Sequence, residues 1–332
     1  MNYYILAFLL FFHHPIVPVP HSSLLPDSQP EPKKMSGPAN VVFKSVDGGQ
    51  TWQDISKGLP EYMVPDLVER HGFFATDHGL FLRAGDWIYQ CKPNSTAPAW
   101  EKVIFLYPDR QAIAPGKDGI YAYNFNGQFL QKIKGTGTWL PVYTNFKEKE
   151  VETVFETAGG TVFIASRNGL FKSTNNGTTW KQVYTPGWVM KLVESNGVLM
   201  ATSHSGILRS TDDGENWASV ISEGGVGIDI EHINGGFAAI TYSTATNTRR
   251  VRTSYDGGKT WQPVDAGLPA DFSIASIIQV GENFFCSHPK GIYKSSDKGK
   301  TWKLLLPSIK DKVFNLSVSG SVIYAIPRNG GC

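Results

Sequence analysis

Cysteine is nearly missing from this chain: Cys91, Cys286 and Cys332 are the only three in 332 residues. An odd number of such widely spaced thiols cannot form the paired framework that staples small secreted domains. There is no Cys-x-x-Cys, no His-Glu-x-x-His and no close Asp/His cluster, so neither a metal site nor a cofactor is expected. Net charge is also scarce. The 31 Lys and Arg against 29 Asp and Glu leave +2, and no basic run forms a stripe for a polyanion, which argues against nucleic acid as a partner. No apolar run is long enough to span a bilayer as a helix, which takes about 20 residues.

The apolar start, Met1 to Phe12 (MNYYILAFLLFF), has the length of a signal-peptide h-region but lacks a positive n-region and a small-x-small cleavage site. Residues 1–14 are read as a signal peptide or N-terminal apolar segment, residues 15–40 as a Pro-rich linker, and residues 41–332 as the folded domain. Export is expected, to the periplasm or the exterior. A start at Met35 would instead leave the protein in the cytoplasm, and membrane contact is expected only through an uncleaved N-terminal segment. No Cys follows the apolar start to carry a lipid anchor. Asn94, Asn176 and Asn315 stand in Asn-x-Ser/Thr sequons, acceptors in a eukaryotic secretory pathway.

What the chain does have is aromatic rings and a repeat. Aromatic residues make up 12%, with nine Trp. An eight-residue box, Ser-x-Asp-x-Gly-x-x-Trp or a close variant, occurs five times: SVDGGQTW (Ser45 to Trp52), STNNGTTW (Ser173 to Trp180), STDDGENW (Ser210 to Trp217), SYDGGKTW (Ser254 to Trp261) and SSDKGKTW (Ser295 to Trp302). Two further units lack the box but reach Trp100 and Trp139 in the same frame, so that seven Trp follow one another at intervals of 37 to 48 residues. A period near forty is that of propeller blades.

The unit TVFIASRNGLFKSTNNGTTWKQVY shows what each repeat builds. Alternating runs at Thr161 to Arg167 and Leu170 to Thr174 flank Asn168-Gly169, a pair typical of a type I′ hairpin with φ > 0 at both central residues. The box makes a second reversal, with Gly177 free to turn left-handed, and Trp180 opens the outermost strand. Val151 to Thr157 supplies an inner strand, giving four strands per unit. The chain ends complement each other. Val313 to Ser319 and Val322 to Pro327 are the first two strands of a unit, and Val41 to Lys44 with the first box are the last two. The expected fold is therefore an all-β, seven-bladed propeller of four-stranded antiparallel blades, closed by N- and C-terminal strands sharing one blade.

This pattern resembles the Asp-box (BNR) repeat family, whose propellers occur in sialidases, two-propeller xyloglucanases, sortilin-type receptor domains and photosystem II assembly factors. The resemblance covers Val41 to Gly330. It implies the fold, and that the boxes lie at the rim away from the ligand face; it does not imply one activity, because these relatives do unrelated things.

The box residues Asp47, Asn175, Asp212, Asp256 and Asp297, with Trp52, Trp180, Trp217, Trp261 and Trp302, are read as blade staples. A carboxylate at such a turn accepts backbone N–H bonds, and the amide of Asn175 can do the same but cannot act as a general acid. The turns between second and third strands should open on the opposite face. They are read as Asp77-His78, Arg167-Asn168, His204-Ser205, the longer Thr244 to Arg250, His288-Pro289-Lys290 and Arg328-Asn329. From these the candidate ligand-binding residues are Arg167, His204, Arg249, Arg250, His288 and Arg328, since binding groups concentrate on loops of rigid scaffolds; ordinary solvated turn chemistry is the competing reading. No catalytic residue is assigned.

The function expected is a non-catalytic, exported binding or assembly module for a protein or glycan partner, with the single seven-bladed architecture of the photosystem II assembly factors. The alternative is a sialidase-like glycoside hydrolase, whose family implies three arginines on the substrate carboxylate and a Tyr nucleophile. Arg167, Arg250 and Arg328 would have to form that triad. The Arg-Ile-Pro signature of that family is absent, Ile326-Pro327-Arg328 having the residues in the wrong order and near the wrong terminus, and sialidases are six-bladed. A xyloglucanase-like hydrolase comes third, because its cleft would need a second propeller.

Overall fold

The structure is a computed structural model, and it describes residues 40–68, 72–77, 79–84, 87–92, 100–103, 111–116, 119–124, 128–133, 138–142, 146 and 150–329. The signal and linker expectations for residues 1–39, and those for His78, Asn94 and Cys332, lie outside the described residues. Among the described residues no helix is long and apolar enough to cross a membrane.

Seven four-stranded antiparallel sheets form the domain, lettered a to d from the axis to the rim. Blade 1 is Phe73–Thr76, Gly79–Ala84, Trp87–Cys91 and Trp100–Val103; blade 2 is Gln111–Gly116, Gly119–Asn124, Phe129–Ile133 and Trp139–Val142. Blade 3 is Val151–Glu156, Val162–Ser166, Gly169–Ser173 and Lys181–Tyr184; blade 4 is Val189–Ser195, Val198–Ser203, Gly206–Ser210 and Ala218–Ile221. Blade 5 is Gly224–Ile233, Gly236–Ser243, Thr248–Ser254 and Gln262–Pro263; blade 6 is Ser276–Val280, Asn283–His288, Gly291–Ser295 and Lys303–Pro307.

Blade 7 takes strands a and b from Val313–Ser319 and Val322–Arg328, and strands c and d from Phe43–Ser45 and Gln53–Asp54. Phe43 pairs with Ala325 and Ser45 with Ile323, so the two ends of the domain share one blade as expected. Each a strand neighbours the a strand of the next blade, and blade 7 meets blade 1. Closure ties the first blade to the last, and the short outer strands are the sheet edges left at the rim.

The core lies between blades. Tyr121, Tyr123 and Phe129 of blade 2 pack with Val154, Val162 and Ile164 of blade 3, and Ile230 and Phe237 of blade 5 pack with Met200 and Ile207 of blade 4. Each box Trp packs against the blade before it: Trp217 meets Phe163 edge-on at 6.3 Å, and Trp180 stacks on Phe129 at 6.4 Å. These indoles are half-buried, and such a ring contributes about 1–2 kcal/mol by removal from water alone.

Local details differ from the sequence expectation in three places. The five box Trp stand one residue before strand d, whereas Trp100 and Trp139 open it; four of the five box indoles donate back to their own turn. The hairpin at Arg167-Asn168 is not type I′: neither residue has positive φ, and the left-handed position falls on Gly169 at φ 129°. A Cβ there would stand 2.0 Å from the Tyr184 carbonyl oxygen. Ser166 supports the turn instead, donating to the Gly169 carbonyl at 3.3 Å and accepting the Asn168 N–H at 3.1 Å. Finally, Asp77 lies between strands a and b of blade 1, on the box face, because Trp87–Cys91 supplies a strand beyond it.

Candidate functional site

The box carboxylates are consumed by their own turns. In the third copy Ser210 Oγ donates to Asp212 Oδ1 at 2.7 Å and accepts the Gly214 N–H at 3.0 Å. Asp212 also accepts the Asn216 N–H at 3.0 Å and its side-chain amide at 2.7 Å. Asn175 reproduces the pattern, accepting the Thr179 N–H at 2.9 Å and donating to the Thr179 hydroxyl at 2.9 Å. The residue before the Trp, Thr51, Thr179, Asn216, Thr260 or Thr301, closes every copy, a part that sequence reading passed over although it is Thr or Asn each time. The Thr51 and Thr301 hydroxyl and backbone bonds hold the Asp47 and Asp297 carboxyls down to about 2, and like bonds lower Asp212 and Asp256 further.

Chain direction puts the b–c turns and the d–a connectors on one face and the boxes on the other. Arg167 and His204 occupy b–c turns, with His204 exposed. Arg167 Nε lies 3.5 Å from Glu152 Oε1 and 3.8 Å from Glu150 Oε2, and its guanidinium stands 5.2 Å from the Trp188 ring centre. Burial raises the Glu152 carboxyl above its ordinary value even with Arg167 beside it.

The expected loop from Thr244 to Arg250 is shorter than read: Thr248–Ser254 is strand c of blade 5, which places Arg249, Arg250 and Arg252 in the sheet. Arg249 is 4% exposed and donates through a terminal nitrogen to the Ile274 carbonyl at 2.9 Å. Arg250 grips Asp265 with two bonds, 2.6 and 3.1 Å, and Arg252 pairs with Glu223 at 2.5 Å. Of the cations expected to converge on this face, Arg167 and Arg250 are thus each matched by a carboxylate, and Arg249 by a backbone carbonyl.

His288 ends strand b of blade 6 and is 1% exposed. Its Nδ1 accepts the Lys290 N–H at 3.0 Å, taking the place that Ser166 and Ser203 hold in blades 3 and 4. The other nitrogen therefore carries the proton and donates to the Pro269 carbonyl at 3.0 Å, and burial lowers the imidazole pKa. Arg328 ends strand b of blade 7. Arg167, Arg250 and Arg328 lie on blades 3, 5 and 7 respectively.

A second constellation, absent from the sequence reading, lines the central channel. The a strands of all seven blades enclose a cavity of about 360 Å³. Its lining is largely apolar, with Phe74 and Phe155 from blades 1 and 3 and Leu192, Ile278 and Leu316 from blades 4, 6 and 7, while Lys191, Asp229, Glu231, Ser276, Asn315 and Ser317 of blades 4 to 7 add polar groups. The Lys191 ammonium bridges Asp229, at 2.8 Å, and Glu231.

Backbone irregularity aims these side chains. Pairing slips between Val189 and Lys191 and again between Gly227 and Asp229, and such bulges redirect the residues that follow them. An a strand also has a free edge whose N–H groups need acceptors. Asp229 accepts Ile277 N–H of blade 6 at 3.1 Å, Ser276 accepts Leu316 N–H of blade 7 at 3.3 Å, and Ser317 accepts Ala75 N–H of blade 1 at 2.8 Å.

Two channel groups are not satisfied in this way. Burial and the neighbouring Asp229 push the Glu231 carboxyl up to about 7 against the pull of Lys191. Asn315 is 5% exposed and its side-chain nitrogen has no hydrogen-bond partner. So buried a side chain cannot carry a glycan in the folded protein, which removes Asn315 from the sequons.

Comparison with known proteins agrees with this architecture. A BNR/Asp-box repeat model matches residues 252–263, which enclose the fourth box. No curated protein matches the chain. The extracellular domain of the one-component system BT4673 from B. thetaiotaomicron is similar in structure, with a TM-score of 0.60 and 12% identity over 77% of this chain; the chain spans 38% of that protein's length. A structure of YCF48 bound to D1 peptide aligns at TM-score 0.55 and 13% identity, over 87% of this chain and 94% of that one. An ancestral GH74 enzyme aligns at TM-score 0.61 and 14% identity, over 87% of this chain and 45% of the other. The box geometry, the repeat match and the closed ring together make this chain a seven-bladed β-propeller built with BNR/Asp-box repeats.

Proposed function

We propose that this propeller is an exported, non-catalytic binding or assembly module, and that a protein partner docks on the face carrying the b–c turns and d–a connectors. One observation carries the proposal. Tyr62, Val64, Leu67 and Phe272 are 41 to 61% exposed, and all four stand on d–a connectors of that face, between blades 7 and 1 or between blades 5 and 6. Tyr62, Val64 and Leu67 lie within six residues of one connector, and exposed apolar side chains set close together on a rigid scaffold are a mark of protein recognition.

The aligned single propeller that was solved with a peptide gives the same reading some support, as does the extracellular setting of the BT4673 domain. Hydrolysis is the less favoured reading. A carboxylate clamp needs free arginines, and Arg167 and Arg250 are already engaged by Glu152 and Asp265. The test is capture of partners from the envelope of the producing cell by the full chain, by the Tyr62→Ala/Phe272→Ala variant, and by Tyr255→Ala on the box face. A protein retained by the wild type and Tyr255→Ala but lost by the double variant is expected. Equal retention by all three would overturn the assigned face, and turnover of a sialoside abolished by Arg250→Ala would overturn the non-catalytic reading.

A further inference from the structure

The charged groups lining the channel do not balance. Lys191, Asp229 and Glu231 are the only ionisable side chains on its wall among the described residues. With both carboxyls ionised they sum to one net negative charge inside a ring of protein. Enclosed charge is tolerated when paired and costly otherwise, and a proton on Glu231 or a bound cation would supply the balance. No group of three or more metal-ligating side chains exists among the described residues, so an inorganic ion would find too few ligands.

The rest of the wall narrows the chemistry. On the same wall the half-buried rings of Phe74 and Phe155, from blades 1 and 3, offer an apolar surface to a carbon skeleton. On blade 7 Asn315, 5% exposed, lines the wall, and its unpartnered side-chain nitrogen needs an acceptor oxygen. A volume of about 360 Å³ lies within the range of small-molecule pockets. We propose that the channel is a binding site for a monocationic primary amine with an apolar body, its ammonium on Glu231 beside Lys191 and an acceptor atom, where it has one, on Asn315. This rests on the reading of the protein as a binding module and names a ligand class for its axis, separate from the connector face. The amine is either a free small molecule or the terminal amine of a polypeptide, since both present the same ammonium.

Calorimetric titration of the full chain with phenethylamine tests it, beside phenethyl alcohol, phenylacetate, potassium chloride and calcium chloride. Saturable binding of the amine alone is expected. It should tighten between pH 6 and pH 8 as Glu231 gives up its proton, since Lys191, Asp229 and Glu231 are the charged groups facing one another there. Glu231→Gln should weaken binding by about tenfold or more, the effect of one charge-assisted hydrogen bond. Its thermal melt shows whether the variant is folded, and Asp212→Asn on the box face should bind as the wild type does.

Phe-Gly amide bound more tightly than its N-acetyl form would identify a polypeptide end as the source, and phenethylamine bound without the peptide would identify a free amine; both support the site. Equal binding of the alcohol would show that only the apolar surface is used and overturn the proposal. So would binding of potassium or calcium in place of the amine, or no binding with Glu231→Gln at least as stable as wild type, which would mean that a proton balances the channel. Partner capture on the connector face can succeed or fail independently of all these outcomes.

Discussion

Blades 3 to 7 carry boxes and blades 1 and 2 do not, yet all seven are four-stranded and sit in one ring. In a boxed blade the c–d reversal is held within eight residues: Ser210 and Asp212 organise the turn, and Trp217 Nε1 donates to Gly214 of the same turn at 3.0 Å. In blade 1 the work is done from a distance. Trp100 Nε1 donates to Ile55 on the neighbouring blade at 2.8 Å, 45 residues away, and Lys102 sits 3.0 Å above the Trp87 ring. Trp302 stands between the two cases, in a box but donating to Val264 of blade 5 at 2.8 Å. The channel is uneven in another way: its ionisable lining comes from blades 4 and 5 alone, while every blade but the fifth lends it apolar side chains. A box is thus one of two solutions to the same problem, and the indole between blades is the part that both retain.

The largest effects should fall where boxed and box-less blades share a device. Gly206 in blade 4 and Gly79 in blade 1 have φ of 112° and 125°, and a Cβ would stand 1.9 and 2.3 Å from the carbonyl oxygen of the adjacent strand. Gly206→Ala and Gly79→Ala should each cost roughly 4 kcal/mol in chemical denaturation; a mild loss at Gly79 alone would show that the box-less blade yields where the boxed one cannot. Next comes the channel lining. Lys191→Met strands two carboxylates and should cost about 3 kcal/mol or more at high pH, with part recovered as pH falls and Glu231, freed from the lowering pull of Lys191, takes up a proton. Phe74→Leu in the same lining should cost about 1–2 kcal/mol at high and low pH alike.

Smaller again is the contrast between local and distant staples. Ser210→Ala leaves the buried Gly214 N–H without its acceptor and should cost about 1–3 kcal/mol, against about 1 kcal/mol for Trp100→Phe, which loses one hydrogen bond and keeps the packing. The reverse order would mean that blade 1 is the more tightly held of the two.

The smallest effect is one of pH. Asp47, Asp212, Asp256 and Asp297 titrate lower in the folded protein than in an unfolded chain. Their contribution is complete above the unfolded value, near ~3.9, and is lost as pH falls from there towards 2. Thermal melts across that window should show a steeper decline for the wild type than for a variant with all four replaced by Asn, which Asn175 shows to be compatible with the turn. Parallel curves would remove the carboxylates from the acid response.

Much of the fold was legible because its signals are short-range. Ser-to-Asp and Ser-to-Gly bonds span two and four residues, so the box is visible as a string, and its spacing gives the blade count and the shared closing blade. Arg249 and Arg250 lie in strand c and not in a long turn because the hairpin is tighter than its polar residues suggest: Arg249 pairs with Tyr242 and Arg250 with Thr241. His288 was singled out as a loop residue, and only the observed bonds reveal a buried turn support in a position usually held by Ser.

The sequence by itself determined the number of blades, their internal order and the face on which the boxes lie, since each depends on contacts within one repeat. Only the tertiary structure decided what the axis contains. Lys191 meets Asp229 and Glu231 across 38 and 40 residues, Asn315 comes from the far end of the chain, and bulges break the period-two pattern by which such positions are normally read. A strand's alternation tells which side chains leave its plane; which of them face a common channel depends on how seven sheets close on one another.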